Sequence, residues 1–352
     1  MKKKYIWIFG MLLIQFVQAG WSANNQLDKA KKKQMTAAEK AIMNIEEVCK
    51  NHPENKRHTM EEIGYEIEHE LEILEKSGTK ATDLILENLK DLKKDWKVHY
   101  FLVYVLAMTQ DEKAIKTLET VISSDAYHVK VRQQVPSALW EYDNELAREI
   151  LKKTVKNLKI PGQVRGSAMG VIGEMGIDDL EFLKTMLNNP VEGLTDIERI
   201  FPSIRALGAS KNPQATDMLI ELIEKDYQNG SLTRGVAVEA LGKRKDGKAF
   251  SVLVEILLSD QDIGNRQTAA DALAEIGSRE AVDPLIKALD AHELVCTWAA
   301  RALGRLGDKR ALPYIKKILD NLNNDERFKN YIDDPSYLGI KKLKKAYEQL
   351  SK

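Results

Sequence analysis

The sequence predicts an all-α chain: a solenoid of about seven helical hairpins with a helical cap at each end. Three observations carry this. The first is a literal repeat, in which Arg266-Gln-Thr-Ala-Ala-Asp-Ala-Leu-Ala-Glu-Ile-Gly277 is followed thirty residues on by Thr297-Trp-Ala-Ala-Arg-Ala-Leu-Gly-Arg-Leu-Gly307. The second is a leucine column, Leu106, Leu139, Ile172, Leu207, Leu241, Leu273 and Leu303, at spacings of 33, 33, 35, 34, 32 and 30 residues. That period belongs to helix pairs that bury their apolar faces only against their neighbours. The third is a set of small residues at fixed offsets from the column: Ala168, Ser203, Ala237, Ala269 and Ala299 ahead of it, and Gly173, Gly208, Gly242, Ala274 and Gly304 just after it. Glycine weakens a helix by roughly 0.5–1 kcal/mol relative to alanine, so its recurrence points to close approach of the next helix.

From the amino end, Lys2, Lys3 and Lys4 precede an apolar run from Tyr5 to Val17 and small residues at Ala19, Gly20, Ser22 and Ala23. This pattern predicts a signal peptide over 1–19. Thirteen apolar residues fall short of the about 20 that a membrane span needs. No cysteine follows the run, so a lipoprotein is not indicated. The expected destination is the periplasm, the cell envelope or the extracellular space of a bacterium.

A polar lead-in over 20–35 comes next, then an amino-terminal helical cap over 36–95. Thr36-Ala-Ala-Glu39 reads as a capping box opening a helix with Ala38, Ile42, Ile45 and Cys49 on its apolar face. Thr59 opens a second helix that stops at Ser77-Gly78, and a third carries Ile85, Leu89, Leu92 and Trp96.

The hairpin array spans 96–320. Its second helices are marked by Leu183, Leu219, Leu253, Leu285 and Ile315, 11 or 12 residues after the first-helix leucine. From each second helix to the next first helix the spacing falls through 20, 18, 16 and 14 residues. The loops Pro190–Asp196, Asp226–Ser231 and Ser259–Asn265 are therefore expected to project along one edge. The carboxy-terminal cap, 321–352, ends in an amphipathic helix with Ile340, Leu343, Tyr347 and Leu350 on one side and Lys341, Lys342, Lys344 and Lys345 on the other.

Val164-Arg165, Thr233-Arg234 and Asn265-Arg266 each lead into a small-residue helix, and there the chain resembles HEAT repeats of the phycobilin-lyase type over roughly residues 96–320. The resemblance implies a right-handed α-solenoid used as a binding scaffold, with second helices lining its concave side. The pattern breaks where Ile200 and Cys296 occupy the arginine column, and those two units are expected to lose the bond the arginine makes.

Charge is balanced, with 53 basic and 53 acidic residues; without Lys2, Lys3 and Lys4 it is 50 against 53. A nucleic-acid binder would carry a basic excess, so none is expected as a partner. Membrane contact is expected only through the export signal. Cys49 and Cys296 belong to opposite ends of the helical region and are read as buried thiols, not a disulfide.

Catalytic and metal chemistry find little support. Glu62, Glu66, His69 and Glu70 include a Glu-x-x-His spacing of the kind used by di-iron bundles, but no second such pair accompanies it. His292-Glu293 resembles the His-Glu pairs of the HEAT-like deoxyhypusine hydroxylases, yet thirty residues earlier stand Asp262-Ile263. No catalytic residue, metal or cofactor is therefore expected, and the chain is read as not an enzyme. The alternative is an enzyme, lyase-like or hydroxylase-like, with residues dispersed over the concave surface.

The expected function is an exported scaffold for a protein partner of unknown identity. By the resemblance, Glu221, Glu255, Lys287 and Lys316 face the groove, acidic then basic along its length. Trp298 is the remaining candidate, either at the interface or packed against the carboxy-terminal cap.

Overall fold

A computed structural model describes residues 35–52, 59–225, 231–331 and 338–352. Among them are nineteen α-helices and no strand. None of these helices is long and apolar enough to cross a membrane. The predicted signal peptide, all but the last residue of the lead-in, residues 53–58 of the amino-terminal cap, residues 226–230 of the second edge loop and residues 332–337 of the carboxy-terminal cap lie outside the described residues. The chain divides between Leu74 and Glu75 into two compact units.

In the first unit, α1 (Ala37–Asn51) starts as its sequence requires. The Thr36 side chain accepts from the backbone N–H of Glu39, and the Glu39 carboxylate accepts from that of Thr36, a reciprocal capping box. Ala41, Ile42, Ile45 and Cys49 are buried. The predicted second helix is divided at Ile67 into α2 (Thr59–Glu66) and α3 (Glu68–Ser77). Ile67 still donates to the Ile63 carbonyl at 3.0 Å, and Leu71 to that of Ile67 at 2.9 Å.

The second unit begins its regular course at α4 (Thr79–Lys90), after Gly78 at φ +53°. The expectation that Leu92 and Trp96 continue this helix is corrected. Asp91 caps it, Leu92 is exposed, and the Asp95 carboxylate accepts from the Lys97 N–H to open a new helix at Trp96. Seven hairpins follow. Their first helices are α5 (Trp96–Thr109), α7 (Val129–Tyr142), α9 (Gly162–Met175), α11 (Asp196–Ala209), α13 (Ser231–Arg244), α15 (Ile263–Ile276) and α17 (Glu293–Leu306). Their second helices are α6 (Lys113–Ser123), α8 (Glu145–Lys156), α10 (Leu180–Asn188), α12 (Gln214–Lys225), α14 (Phe250–Ser259), α16 (Val282–Ala288) and α18 (Leu312–Asp320). The last three second helices are each entered through a single turn of 3₁₀ helix ending in a buried alanine, Ala249, Ala281 or Ala311.

First helices pack directly on first helices along the array, more extensively than second helices on one another. The glycines after the leucine column explain it. A Cβ on Gly242 would lie 2.8 Å from the Ala272 Cα, one on Gly208 3.2 Å from the Ala240 Cα, and one on Gly173 2.7 Å from the Pro202 Cα. The final helix, α19 (Leu338–Ser351), packs on α17 in the manner of one more first helix, with the Ala346 Cα 3.0 Å from a Cβ built on Gly304.

The arginine column has a definite purpose. Four residues after the helix N-cap, Arg132 donates from Nε to the Ile122 carbonyl at 3.0 Å, and Arg266 from Nε to that of Leu257 at 2.9 Å. Arg165 likewise reaches Val155, and Arg199 reaches Leu187 at 2.9 Å. Each acceptor lies in the last turn of the preceding second helix or beside it, where carbonyls lack intrahelical donors and the helix dipole favours a cation.

Both expected breaks in this column are repaired. Arg199, not Ile200, occupies the position counted from the N-cap Thr195, because α11 carries one extra residue between it and Leu207. Cys296 holds the place in α17, and Arg327, from beyond the array, donates to the carbonyls of Leu289 at 2.6 Å and Ala291 at 2.8 Å. Arg234, at the same place in α13, is paired at 2.8 Å with the buried Asp260 carboxylate.

In α5 the same position is His99, whose Nε2 lies 3.2 Å from the Asp91 carbonyl at the end of α4. Burial holds its pKa below the ordinary histidine range, with the Asp91 carbonyl opposing. The folded state therefore binds fewer protons than the unfolded chain once the pH falls below about 6.5. Stability from this site is present above that pH and is lost as the pH drops toward the folded value. Urea midpoints measured across this window are expected to fall less steeply in His99→Gln than in the wild type.

Candidate surfaces and charge clusters of the repeat array

Glu221, Glu255, Lys287 and Lys316 are all exposed, one on each of the successive second helices α12, α14, α16 and α18. Two of them have partners on their own helix: Glu221 pairs with Lys225 at 2.5 Å and Lys316 with Asp320 at 2.6 Å. The Lys225 ammonium holds the Glu221 carboxyl below its ordinary pKa, and the Asp320 carboxylate raises that of Lys316. Exposed pairs of this kind contribute little to stability and exchange readily for other partners.

Of the edge loops, 190–195 folds back. The Arg165 guanidinium donates to the Glu192 carbonyl, and Gly193, at φ +73°, sits against Gly162 so closely that a Cβ on Gly162 would collide with its carbonyl.

The first helices carry a more elaborate charge arrangement at the carboxy-terminal end. Trp298 is half-buried, with the Lys342 Nζ 3.9 Å and the Arg301 Cζ 4.7 Å from its ring centroid. The indole thus contacts α19, as one of the two sequence readings has it. Beside it, Asp271 lies 3.5 Å from Arg301 and 3.7 Å from Arg305, while Arg305 also holds Glu275 at 2.5 Å. The Asp271 Oδ1 is buried and accepts no hydrogen bond among the described residues. Burial raises the Asp271 carboxyl above its ordinary pKa, against the pull of Arg301, Arg305 and Lys342. Burial also lowers the Lys342 ammonium, and Arg301 lowers it further. Sequence reasoning missed this cluster because its members come from three helices with no shared motif.

The residues weighed as metal ligands are dispersed. His52 lies 2.9 Å from Glu66, Asn44 donates to Glu70, and His69 is exposed. His292 serves as the N-cap of α17, its Nδ1 accepting from the Leu294 N–H and lying 3.1 Å from Glu293. Among the described residues no group of three histidine, cysteine or acidic side chains is placed to hold a metal ion. Cys49 and Cys296 are both buried. Burial pushes the Cys296 thiol up to about 12, so it stays protonated beside Arg327.

Residues 203–263 and 250–329 match the family model for HEAT repeats. Comparison with curated protein sequences gives no match. Among solved structures the chain is similar to human deoxyhypusine hydroxylase, at 19% identity over 89% of this chain and 97% of that one, with a TM-score of 0.31. It is also similar to the CpcE–CpcF complex of phycocyanin lyase from Nostoc sp. PCC7120, at 17% identity over 76% and 94% of the two chains and a TM-score of 0.39. An engineered protein gives 19% identity over 92% and 94%, with a TM-score of 0.38. One expectation is overturned by these findings. The sequence reading that the chain is not an enzyme is withdrawn, because a hydroxylase and a lyase stand among the structures it resembles. The seven stacked hairpins make the described chain an all-α helical repeat array, and its residues 203–329 carry HEAT-like repeats.

Proposed function

We propose that this chain is an exported HEAT-like scaffold that holds a protein partner along the exposed faces of its second helices. The supporting observation is the placement of Glu221, Glu255, Lys287 and Lys316, exposed on four successive second helices and changing from acidic to basic. A partner with the opposite charge gradient is oriented by this surface, which sets specificity and association rate more than raw affinity. The local pairs of Glu221 and Lys316 cost little to open.

Export rests on the amino-terminal pattern of Lys2, Lys3, Lys4 and the apolar run to Val17. Mass spectrometry is expected to find a mature chain beginning after Ala19; an intact Met1 in a cytoplasmic fraction would refute export.

The docking surface is tested by reversing Lys287 and Lys316 together to glutamate and capturing partners from envelope extract at low and physiological salt. Loss of captured proteins present with the wild type, greatest at low salt, is the expected result. An unchanged set at both salt levels counts against the second-helix surface.

A further inference from the structure

The cluster on α15, α17 and α19 holds more positive charge than its own carboxylates balance. Arg301, Arg305 and Lys342 come together there, and Lys245, just past the end of α13, approaches to 3.5 Å of Glu275. Four cations thus face two carboxylates, Asp271 and Glu275. Glu275 is engaged by Arg305 and Lys245. Asp271 approaches Arg301 and Arg305 only at 3.5 and 3.7 Å, outside ordinary hydrogen-bond range.

Arg301 and Lys342 are held against one indole, both half-buried and both close enough to repel each other. A folded chain keeps two cations in such a place at a cost, and a bound anion removes it by pairing with both. Arg301 and Arg305 are one helical turn apart on α17, so successive acidic side chains of an extended or helical segment can reach them and Lys342 together. Guanidinium groups favour carboxylates through paired N–H donors.

We propose that Arg301, Arg305 and Lys342, seated on Trp298, form a docking site for an acidic polypeptide segment. The charge balance of the surroundings favours a polypeptide over a nucleic acid. The whole chain has 53 basic and 53 acidic residues, so it lacks the general basic excess that binds a phosphate backbone. Asp271 beneath the cations also opposes the denser charge of phosphates. The site lies on first helices and α19 and is independent of the second-helix surface proposed above.

The test uses the purified full chain and a fluorescently labelled acetyl-hexaglutamate peptide, followed by anisotropy at low and physiological salt. The wild type is expected to bind, with affinity falling as salt rises. Arg301→Gln with Lys342→Gln is expected to weaken binding by about tenfold or more, equivalent to about 1.4 kcal/mol. Thermal unfolding of the double variant, and the single variant Lys342→Gln, separate loss of binding from loss of fold. Intrinsic fluorescence is expected to change on peptide addition in the wild type and not in Trp298→Phe.

Three results would overturn the proposal: equal affinity in the folded Arg301→Gln, Lys342→Gln variant, a fluorescence change that persists in Trp298→Phe, or binding of a single-stranded oligonucleotide with none of the peptide. Failure here leaves the second-helix surface standing, because its variants and its readout are different.

Discussion

Asp260→Ala is expected to destabilise the second unit by about 3–5 kcal/mol, the usual result of removing one member of a buried ion pair. Asp260 is 5% and Arg234 7% exposed, and their side chains meet at 2.8 Å. Without the carboxylate, the guanidinium loses that neutralising charge in a place water barely reaches. The Asp262 N–H, which donates to Asp260 at 2.8 Å, and the Asn265 amide at 3.4 Å also lose their acceptor. Urea unfolding checks the size of the effect. Replacing both partners, Arg234→Met with Asp260→Leu, is expected to recover much of it, since a buried pair contributes little beyond an apolar pair of similar volume. If Asp260→Ala unfolds at the wild-type midpoint, the pair is not a structural tie.

Gly242→Leu should destabilise by at least the about 1–3 kcal/mol typical of overpacking. Its Cβ would stand 2.8 Å from both the Cα and the Cβ of Ala272, and backbone cannot rotate away as a long side chain can. Alanine at the same place gains helix propensity while meeting the same contact, so Gly242→Ala is expected to lose less. Gly170 supplies the control. It lies in α9 with nothing within 4 Å of a built Cβ, so Gly170→Ala is expected to stabilise by about 0.5–1 kcal/mol. Thermal unfolding of the three variants decides the matter, and stabilisation by Gly242→Ala equal to that by Gly170→Ala would remove the close-approach account of the glycine column.

The repeat was legible because each hairpin states its own register twice, in the leucine column and in the small residues beside it. Leu139, Leu207, Leu241, Leu273 and Leu303 are all fully buried. The arginine column was legible only as a spacing. Measured from Leu207 it points to Ile200, whereas the helix counts from its N-cap Thr195, which puts Arg199 against the end of α10. A register referred to the buried leucine fails when one residue is inserted between the two landmarks.

The charge cluster was hidden for a different reason. Asp271, Trp298 and Lys342 are brought together by helix stacking, and no periodicity in the sequence relates α19 to α17. Trp298 itself was recognisable in the sequence as a candidate, but its cationic neighbours were not.

Arg327 redraws the smallest piece of this chain that can fold as a complete array. The sequence period ends near Leu319, and a truncation designed from the repeat alone would stop at about Asp320. Such a fragment keeps both helices of the seventh hairpin and discards the donor for Leu289 and Ala291. Cys296, the residue in the column, has only a weak S–H to offer in its place. The matched repeats run to residue 329, nine past that truncation point, and so include the arginine. The folding unit is therefore longer than its repeat, and its last element closes the ladder from outside.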